Sequence, residues 1–284
     1  MLSQKYAESE LENILLSGEE WRPFPRANNR SGWQGLPDRV QKAQISRGEE
    51  RLDFEWPPVP ATRFLDFARD GNRSRYEALS FGRRNALADL VIAECIENRG
   101  RFLDDIVNGI WCICEESFWG VPAHINAQKA GRGLPHTAEP VVDLFAAETS
   151  ELLAWTVYLL DDPLNALSPL ILPRGEREIQ SRILTPLFER DDFGWMASSG
   201  NRVNNWNPWI VSNWLTSNLL IERNETRRIA ATHKAMLTVN NFIDPYPADG
   251  GCDEGPGYWG RGRCVPLRLP GMALQRQRRP DQRI

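Results

Sequence analysis

Residues 139–160 read EPVVDLFAAETSELLAWTVYLL. The stretch opens with an acid and a proline, as helices often do, and is long enough for about six helical turns. Apolar residues at three- and four-residue spacing indicate amphipathic helices in much of the remaining chain. The clearest further segments are 73–100, 101–117, 176–191, 206–222 and 225–243. Because no convincing run alternates apolar and polar residues, the sequence predicts an all-α protein of paired amphipathic helices.

The loops between these helices are long, roughly fifteen to thirty residues in several places. Such loops favour helix pairs arranged around a ring, with a loop-built surface at one end, over a simple bundle. With 284 residues the chain is long enough for one large domain or two small ones. The net charge of −4 and the scattered Lys and Arg residues offer no basic face for nucleic acid in the first 260 residues.

The N-terminal stretch MLSQKYAESELENILLSGEEW carries Glu8, Glu10 and Glu12 where a signal peptide needs an apolar run. No segment reaches the roughly eighteen apolar residues of a membrane span. We therefore expect a soluble, cytoplasmic protein with no membrane partner. The five cysteines are odd in number and irregularly spaced, which argues against a disulfide framework. Cys112 and Cys114 are interpreted as small hydrophobic residues on different sides of a helix rather than as a metal pair, and no metal or cofactor is predicted.

Three loops carry residues that plain connectors do not need. They are SFWGVPAHINAQKAGRG with Trp119 and His124, DDFGWMASSGNRVNNWNPW with Trp195, Asn204, Asn205, Trp206, Asn207 and Trp209, and CDEGPGYWG with Asp253, Glu254, Tyr258 and Trp259. Aromatic faces beside amides and carboxylates suit a carbohydrate site, because apolar sugar faces stack and hydroxyls form directional hydrogen bonds. The alternative is that the Trp residues belong to the core and the Asn residues cap helices.

Several of these motifs resemble one known family. FARDGNRSRYE, GRFLDDIVNGIWCICEESFW, VDLFAAETSELLAWTVYLL, NNWNPWIVSN and DGGCDEGPGYWGR are similar to the toroid domain of heparinase II/III-like polysaccharide lyases, from about residue 20 to about residue 262. The last two motifs are the most specific. The resemblance implies an incomplete (α/α) toroid, followed in the family by a large antiparallel β-sandwich. It also implies cleavage of uronic-acid polysaccharides by β-elimination.

The resemblance assigns catalytic roles to two residues. β-Elimination removes the C5 proton of a uronate and expels the 4-oxygen, so the C6 carboxylate must be neutralised first. Asn205 matches the family asparagine that does this, with Asn204 as the alternative. Some members have a histidine next, but this chain has Trp206, so one possible base is absent. Tyr258 matches the tyrosine that protonates the leaving oxygen. Because a phenol titrates near pH 10, acting as base would require nearby positive charge or hydrogen bonds to the phenolate.

Further residues are expected to bind the substrate, an acidic oligo- or polysaccharide. They are Asn204, Trp206, Glu254, His124, Trp119 and Trp259. Glu254 lies four residues before Tyr258 and either holds the phenol or a sugar hydroxyl, or is an ordinary acid at a helix start. His124 resembles a histidine in the family's Pro-Ala-His loop, where it either reaches the cleft or has a structural role.

The chain departs from the family at its end. Residues 261–284 contain seven Arg and one Asp, with prolines at 266, 270 and 280, where the family pattern requires a long apolar helix. We predict a partial toroid over residues 1–260 and a basic, disordered or frameshifted tail over 261–284. The hypothesis is a frameshifted or prematurely ended gene without the β-sandwich. Resequencing that shows an intact frame and no downstream sandwich would contradict it.

Three functions stay open at this point. The first is a uronate lyase, expected to turn over substrate barely or not at all without the second wall of its cleft. The second is a non-catalytic remnant that binds acidic sugars. The third is an (α/α)-barrel glycoside hydrolase, for which the adjacent Asp253 and Glu254 make a poor pair. Apolar helix faces left without partners also predict self-association.

Overall fold

The computed structural model describes residues 3, 6–197, 204–247 and 250–251. These residues form twelve α-helices and no β-strand, which confirms the all-α prediction. None of the described helices is long and apolar enough to cross a membrane. The toroidal arrangement of the helix pairs stays a prediction. The tail 261–284 lies outside the described residues.

The chain divides into two compact units. The central unit is Phe24–Gly194, and the terminal unit combines Met1–Pro23 with Trp195–Ile284. The terminal unit contains three described α-helices: α1 (Glu8–Ile14), α11 (Trp206–Ile221) and α12 (Glu225–Ile243). The central unit contains α2 (Arg30–Gln34), α3 (Asp38–Glu49), α4 (Ala61–Asp70), α5 (Ser74–Glu97), α6 (Leu103–Cys114), α7 (Leu144–Leu159), α8 (Asp161–Leu167), α9 (Ile171–Ile179) and α10 (Thr185–Glu189).

Two helices begin or continue differently from the sequence pattern. α7 begins at Leu144 rather than at Glu139, because the Asp143 carboxylate accepts the Ala146 N–H at 2.8 Å and caps the helix there. The segment 176–191 is interrupted by a π-helical turn, Gln180–Leu184. Pro186 follows shortly after this turn in a run that is helical from 171 to 189, and because proline has no N–H it cannot donate the regular helical hydrogen bond there.

Helix burial is less one-sided than the amphipathic pattern predicts. α7 and α11 carry buried residues around most of their circumference, so each lies inside its own unit rather than on the surface. In the central unit α3 packs so closely on α5 that a side chain at Gly48 would overlap the Cβ of Ala93. In the terminal unit α11 and α12 pack against each other, and α1 contacts α12.

A buried ionic network fixes the chain that follows α6. The Glu116 carboxylate lies 3.1 Å from Arg83 and 2.7 Å from Arg84, both on α5. Arg84 also donates to the Thr149 hydroxyl on α7 at 2.7 Å. Since both arginines hold one buried carboxylate, residues 116–119 are anchored to the core before the loop towards His124 begins.

Candidate functional site

Asn205 stands directly before α11 in the terminal unit. Its side chain is only 7% exposed, and the buried Oδ1 accepts no hydrogen bond from any described residue. Buried side-chain amides are nearly always paired, since an unpaired group loses its hydration without compensation. Rotation of the amide by 180° would place Nδ2, a donor, at the same position. The Oδ1 position of the residue predicted to receive a carboxylate thus has no partner among the described residues.

The two flanking asparagines are used differently. Asn204 is exposed, and its Oδ1 accepts the Trp206 N–H at 3.1 Å, which caps the first turn of α11. Asn207 is fully buried, and its Nδ2 donates to the carbonyls of Trp195 and Thr238 at 3.0 Å each. These contacts match the helix-cap and packing interpretation for Asn204 and Asn207. The Oδ1 atoms of Asn205 and Asn207 are both buried without a described partner, but Asn207 is held through its Nδ2, whereas Asn205 makes no side-chain hydrogen bond within the described residues.

The backbone at the start of α11 leaves little else to bind an anion. The N–H of Trp206 is taken by Asn204, the N–H of Asn207 donates to the Asn204 carbonyl at 3.2 Å, and Pro208 has no N–H. The partial positive charge of the helix N-terminus still favours a negative group nearby. A carboxylate at this position would therefore be bound through the Asn205 amide rather than through free backbone N–H groups.

A strained segment lies beside this helix start. Asn241 on α12 donates to the Met196 carbonyl at 2.7 Å, and Asn207 holds the Trp195 carbonyl. Ala197 follows with φ of 58°, a left-handed conformation that is uncommon outside glycine. No sequence pattern indicated the conformation of Ala197. The adjacent amides of Asn240 and Asn241, late in an otherwise apolar helical face, could have suggested Asn241.

His124 is oriented by a buried carboxylate in the central unit. Its Nδ1 lies 2.7 Å from Asp143 Oδ2, and its ring stacks on Phe145 with centroids 5.6 Å apart. The Asp143 side chain is 1% exposed and also accepts the N–H groups of Val121 and Ala146. This contact and the stacking hold the imidazole in one orientation, which fixes the direction of Nε2. Asp143 was not predicted from the sequence as a site residue. Its position directly before α7, where an aspartate caps a helix, could have indicated it.

Trp119 lies in the core of the central unit. Its Nε1–H donates to the Ile113 carbonyl at 2.9 Å, and the Arg182 guanidinium lies 4.9 Å from its ring centroid. A sugar could stack on that face only if Arg182 moved, so these contacts favour packing for Trp119.

The predicted site residues therefore fall into three groups. Asn204, Asn205 and the partly buried Trp206 lie together at the start of α11, and His124 and Trp119 belong to the central unit. Glu254, Tyr258 and Trp259 lie outside the described residues, as does Asp253. In the described ranges no three His, Cys, Asp or Glu side chains come together as a metal site.

A scan of the chain against models of protein families found no match. A search of curated proteins likewise found no similar sequence.

Proposed function

We propose that the chain is a polysaccharide lyase-like protein that acts on uronic-acid-containing oligo- or polysaccharides by β-elimination. Asn205 neutralises the uronate carboxylate, and Tyr258 serves as acid and base. The partner is an acidic sugar, and Asn204 and Trp206, which flank Asn205 in the terminal unit, are proposed to contact it. The observation that carries this proposal is the buried Oδ1 of Asn205, which has no hydrogen-bond partner among the described residues. With the amide rotated, the Nδ2 donor occupies that position and can bind a carboxylate.

The reaction balances with these two groups. The Tyr258 phenolate removes the C5 proton, the C5–H electron pair forms the C4–C5 double bond, and the C4–O bond breaks. The phenol then returns its proton to the departing 4-oxygen, so the tyrosine ends as it began. Negative charge that spreads onto the C6 carboxylate during proton removal is met by the Asn205 N–H. The role of Tyr258 rests on its place in the DGGCDEGPGYWGR motif.

The amide contribution has an expected size. A hydrogen bond from a neutral donor to a charged group is worth about 1.5–3 kcal/mol. Loss of one donor to a developing oxyanion typically lowers kcat by about 10²- to 10³-fold. We therefore expect Asn205→Ala to lower turnover by that factor. Asn205→Asp, which keeps the shape but adds a negative charge, should also prevent uronate binding.

The test is an incubation of the full chain with heparan, hyaluronan and alginate oligosaccharides. Ultraviolet absorbance reports the unsaturated uronate product. The expected result is slow, barely measurable product formation by the wild-type chain, loss of that product with Asn205→Ala and Tyr258→Phe, and no change with Asn165→Ala. Asn165 is an exposed asparagine on α8 and serves as the matched control.

The other outcomes separate the alternatives. New reducing ends without the unsaturated product would indicate a hydrolase. Uronate binding with no product would leave a non-catalytic acidic-sugar-binding protein. Product formation by the Tyr258→Phe variant at the wild-type rate would show that Tyr258 is a packing residue.

A further inference from the structure

The central unit contains a cavity of about 530 Å³ to which the proposed lyase chemistry assigns no role. Its walls are the chain that leaves α6 (residues 114–119), the loop 135–141 and one face of α9 with the following π-helical turn. This volume lies within the range of small-molecule sites in proteins, about 300–1,000 Å³. The cavity can therefore hold a molecule of the size of a mono- or disaccharide.

The walls are held in place before any ligand arrives. Gln128 is 5% exposed, and its Nε2 donates to the carbonyls of Gly131 and Leu134, while its Oε1 accepts the His136 N–H at 2.8 Å. Arg182 donates to the carbonyls of Glu116 and Cys114 and to the Glu178 carboxylate. Both walls are thus preorganised, which lowers the entropy lost when a ligand binds.

The cavity is lined by polar groups without hydrogen-bond partners in the described residues and by apolar side chains. The Nε–H of Arg174 is buried and lies 3.7 Å from the Glu178 carboxylate, beyond hydrogen-bond distance, with no closer acceptor among the described residues. The exposed side chains of Glu115, Ser117 and Thr137 line the cavity and have no hydrogen bond shown in the described part of the chain. Phe118, together with the neighbouring prolines of the loop, supplies apolar surface. A ligand must therefore offer both donors and acceptors around an apolar face, as a sugar ring does.

The charge of the cavity selects among sugars. Glu116 is neutralised by Arg83 and Arg84, and Glu178 is paired with Arg182 at 2.8 Å and with Arg174 at 3.7 Å. Glu139 accepts the backbone N–H of Lys129 at 3.0 Å, and in the described residues no cationic side chain is shown in an ion pair with Glu115 or Glu139. An anionic ligand would be repelled by these two acids, whereas neutral hydroxyls can donate to them.

We propose that this cavity is a binding site for a neutral mono- or disaccharide. Sugar hydroxyls donate to Glu115 and Glu139 and accept from the Arg174 Nε–H, and the ring lies against Phe118. The site lies within the central unit, and the inference does not depend on the β-elimination proposed above.

Saturation-transfer NMR with the full chain tests this site, with maltose and cellobiose as neutral probes and a glucuronate-containing disaccharide as the charged comparison. The wild-type chain should bind a neutral probe more tightly than the charged one. Thr137→Trp should fill the cavity and weaken binding at least about tenfold. Arg174→Lys, which keeps the charge but loses the Nε–H, should weaken it by a similar factor. Ser46→Trp on the exposed surface of α3 is the matched control and should bind as the wild type does.

Three results would overturn the proposal. The first is the absence of saturation transfer to either neutral probe, and the second is tighter binding of the charged disaccharide. The third is an unchanged affinity in both Thr137→Trp and Arg174→Lys. Circular dichroism of each variant confirms the fold. If one variant is misfolded, the affinity of the other variant decides the test.

Discussion

At the scale of single residues, the start of α11 shows how one residue type has three different roles within four positions. Asn204 caps the helix, Asn207 ties α11 to Trp195 and α12, and Asn205 has a buried oxygen with no described partner. Capping and packing contacts satisfy the first two amides at least in part. The third gains a hydrogen bond only from something not among the described residues, which is why Asn205 is central to the proposed function.

Burial also sets the reactivity of the cysteines. Burial raises the pKa of Cys114 to about 11 and that of Cys95 to about 12, while Cys112 is only partly buried. Because the thiolate is the reactive form, we expect iodoacetamide at pH 8 to modify Cys112 of the native chain well before the other two. Peptide mass mapping over time measures this order. Equal labelling rates at Cys112 and Cys114 would contradict it.

Glu178 gives a pH dependence of stability. Burial by itself would raise the pKa of its carboxyl, but the Arg182 hydrogen bond and the charges of Arg182 and Arg174 hold the pKa below its ordinary 4.5. A lowered folded-state pKa stabilises the fold above pH 4.5, and this contribution is lost as the pH falls through the folded-state value. We expect Glu178→Gln to cost about 1–3 kcal/mol at pH 7 and less as the solution is acidified.

Urea unfolding between pH 7 and pH 3 measures this dependence. Glu50→Gln, at an exposed carboxylate at the end of α3, is the control and should change stability little at any pH. A Glu178→Gln cost that stays constant over the whole range would contradict the ion-pair explanation.

At the scale of the helices, the contact between Trp56 and α6 requires glycine. Trp56 has φ of 43°, and a Cβ added at Gly109 would lie 2.8 Å from its Cζ2. Gly109→Ala should therefore destabilise the chain by about 1–3 kcal/mol through overpacking.

Gly82 on α5 is the matched control, since an added Cβ there meets no atom within 4 Å. Gly82→Ala should stabilise the chain by about 0.5–1 kcal/mol through helix propensity alone. Both variants gain the same propensity, so the difference in their free energies of unfolding isolates the Trp56 contact. Equal effects of the two substitutions would contradict it.

The ends of the helices were predictable where contacts between neighbouring residues determine them. The pattern over 225–243 matches α12, because Asn224 caps its first turn with a local hydrogen bond. The start of α7 was placed five residues too early, since the proline suggested a helix start and the capping by Asp143 was not recognised. The role of Asn205 stays a prediction from its motif. Gln128 and Asn241 were not predicted as positioning residues, because their roles depend on carbonyls that lie elsewhere in the chain.

At the scale of the whole molecule, the two units differ in how the chain builds them. The central unit is one continuous segment, Phe24–Gly194, whose core includes Leu87, Ile106 and Leu153. A segment of this length is typical of a domain that folds alone. We expect residues 24–194, expressed by themselves, to be helical by circular dichroism and to melt cooperatively. A helical spectrum with no cooperative transition would show that the segment needs the rest of the chain.

The proposed function depends on one contact, the Asn205 amide with a uronate carboxylate. NMR of the ¹⁵N-labelled chain can observe the Asn205 side-chain amide, identified by the signal that disappears in Asn205→Asp. The measurement is a titration with a uronate oligosaccharide and with the same oligosaccharide after chemical reduction of its carboxyl groups. We predict that the uronate shifts the Asn205 amide protons downfield and that the reduced sugar leaves them in place. An Asn205 signal that stays unmoved, or that moves equally with both sugars, would contradict the proposed role of Asn205.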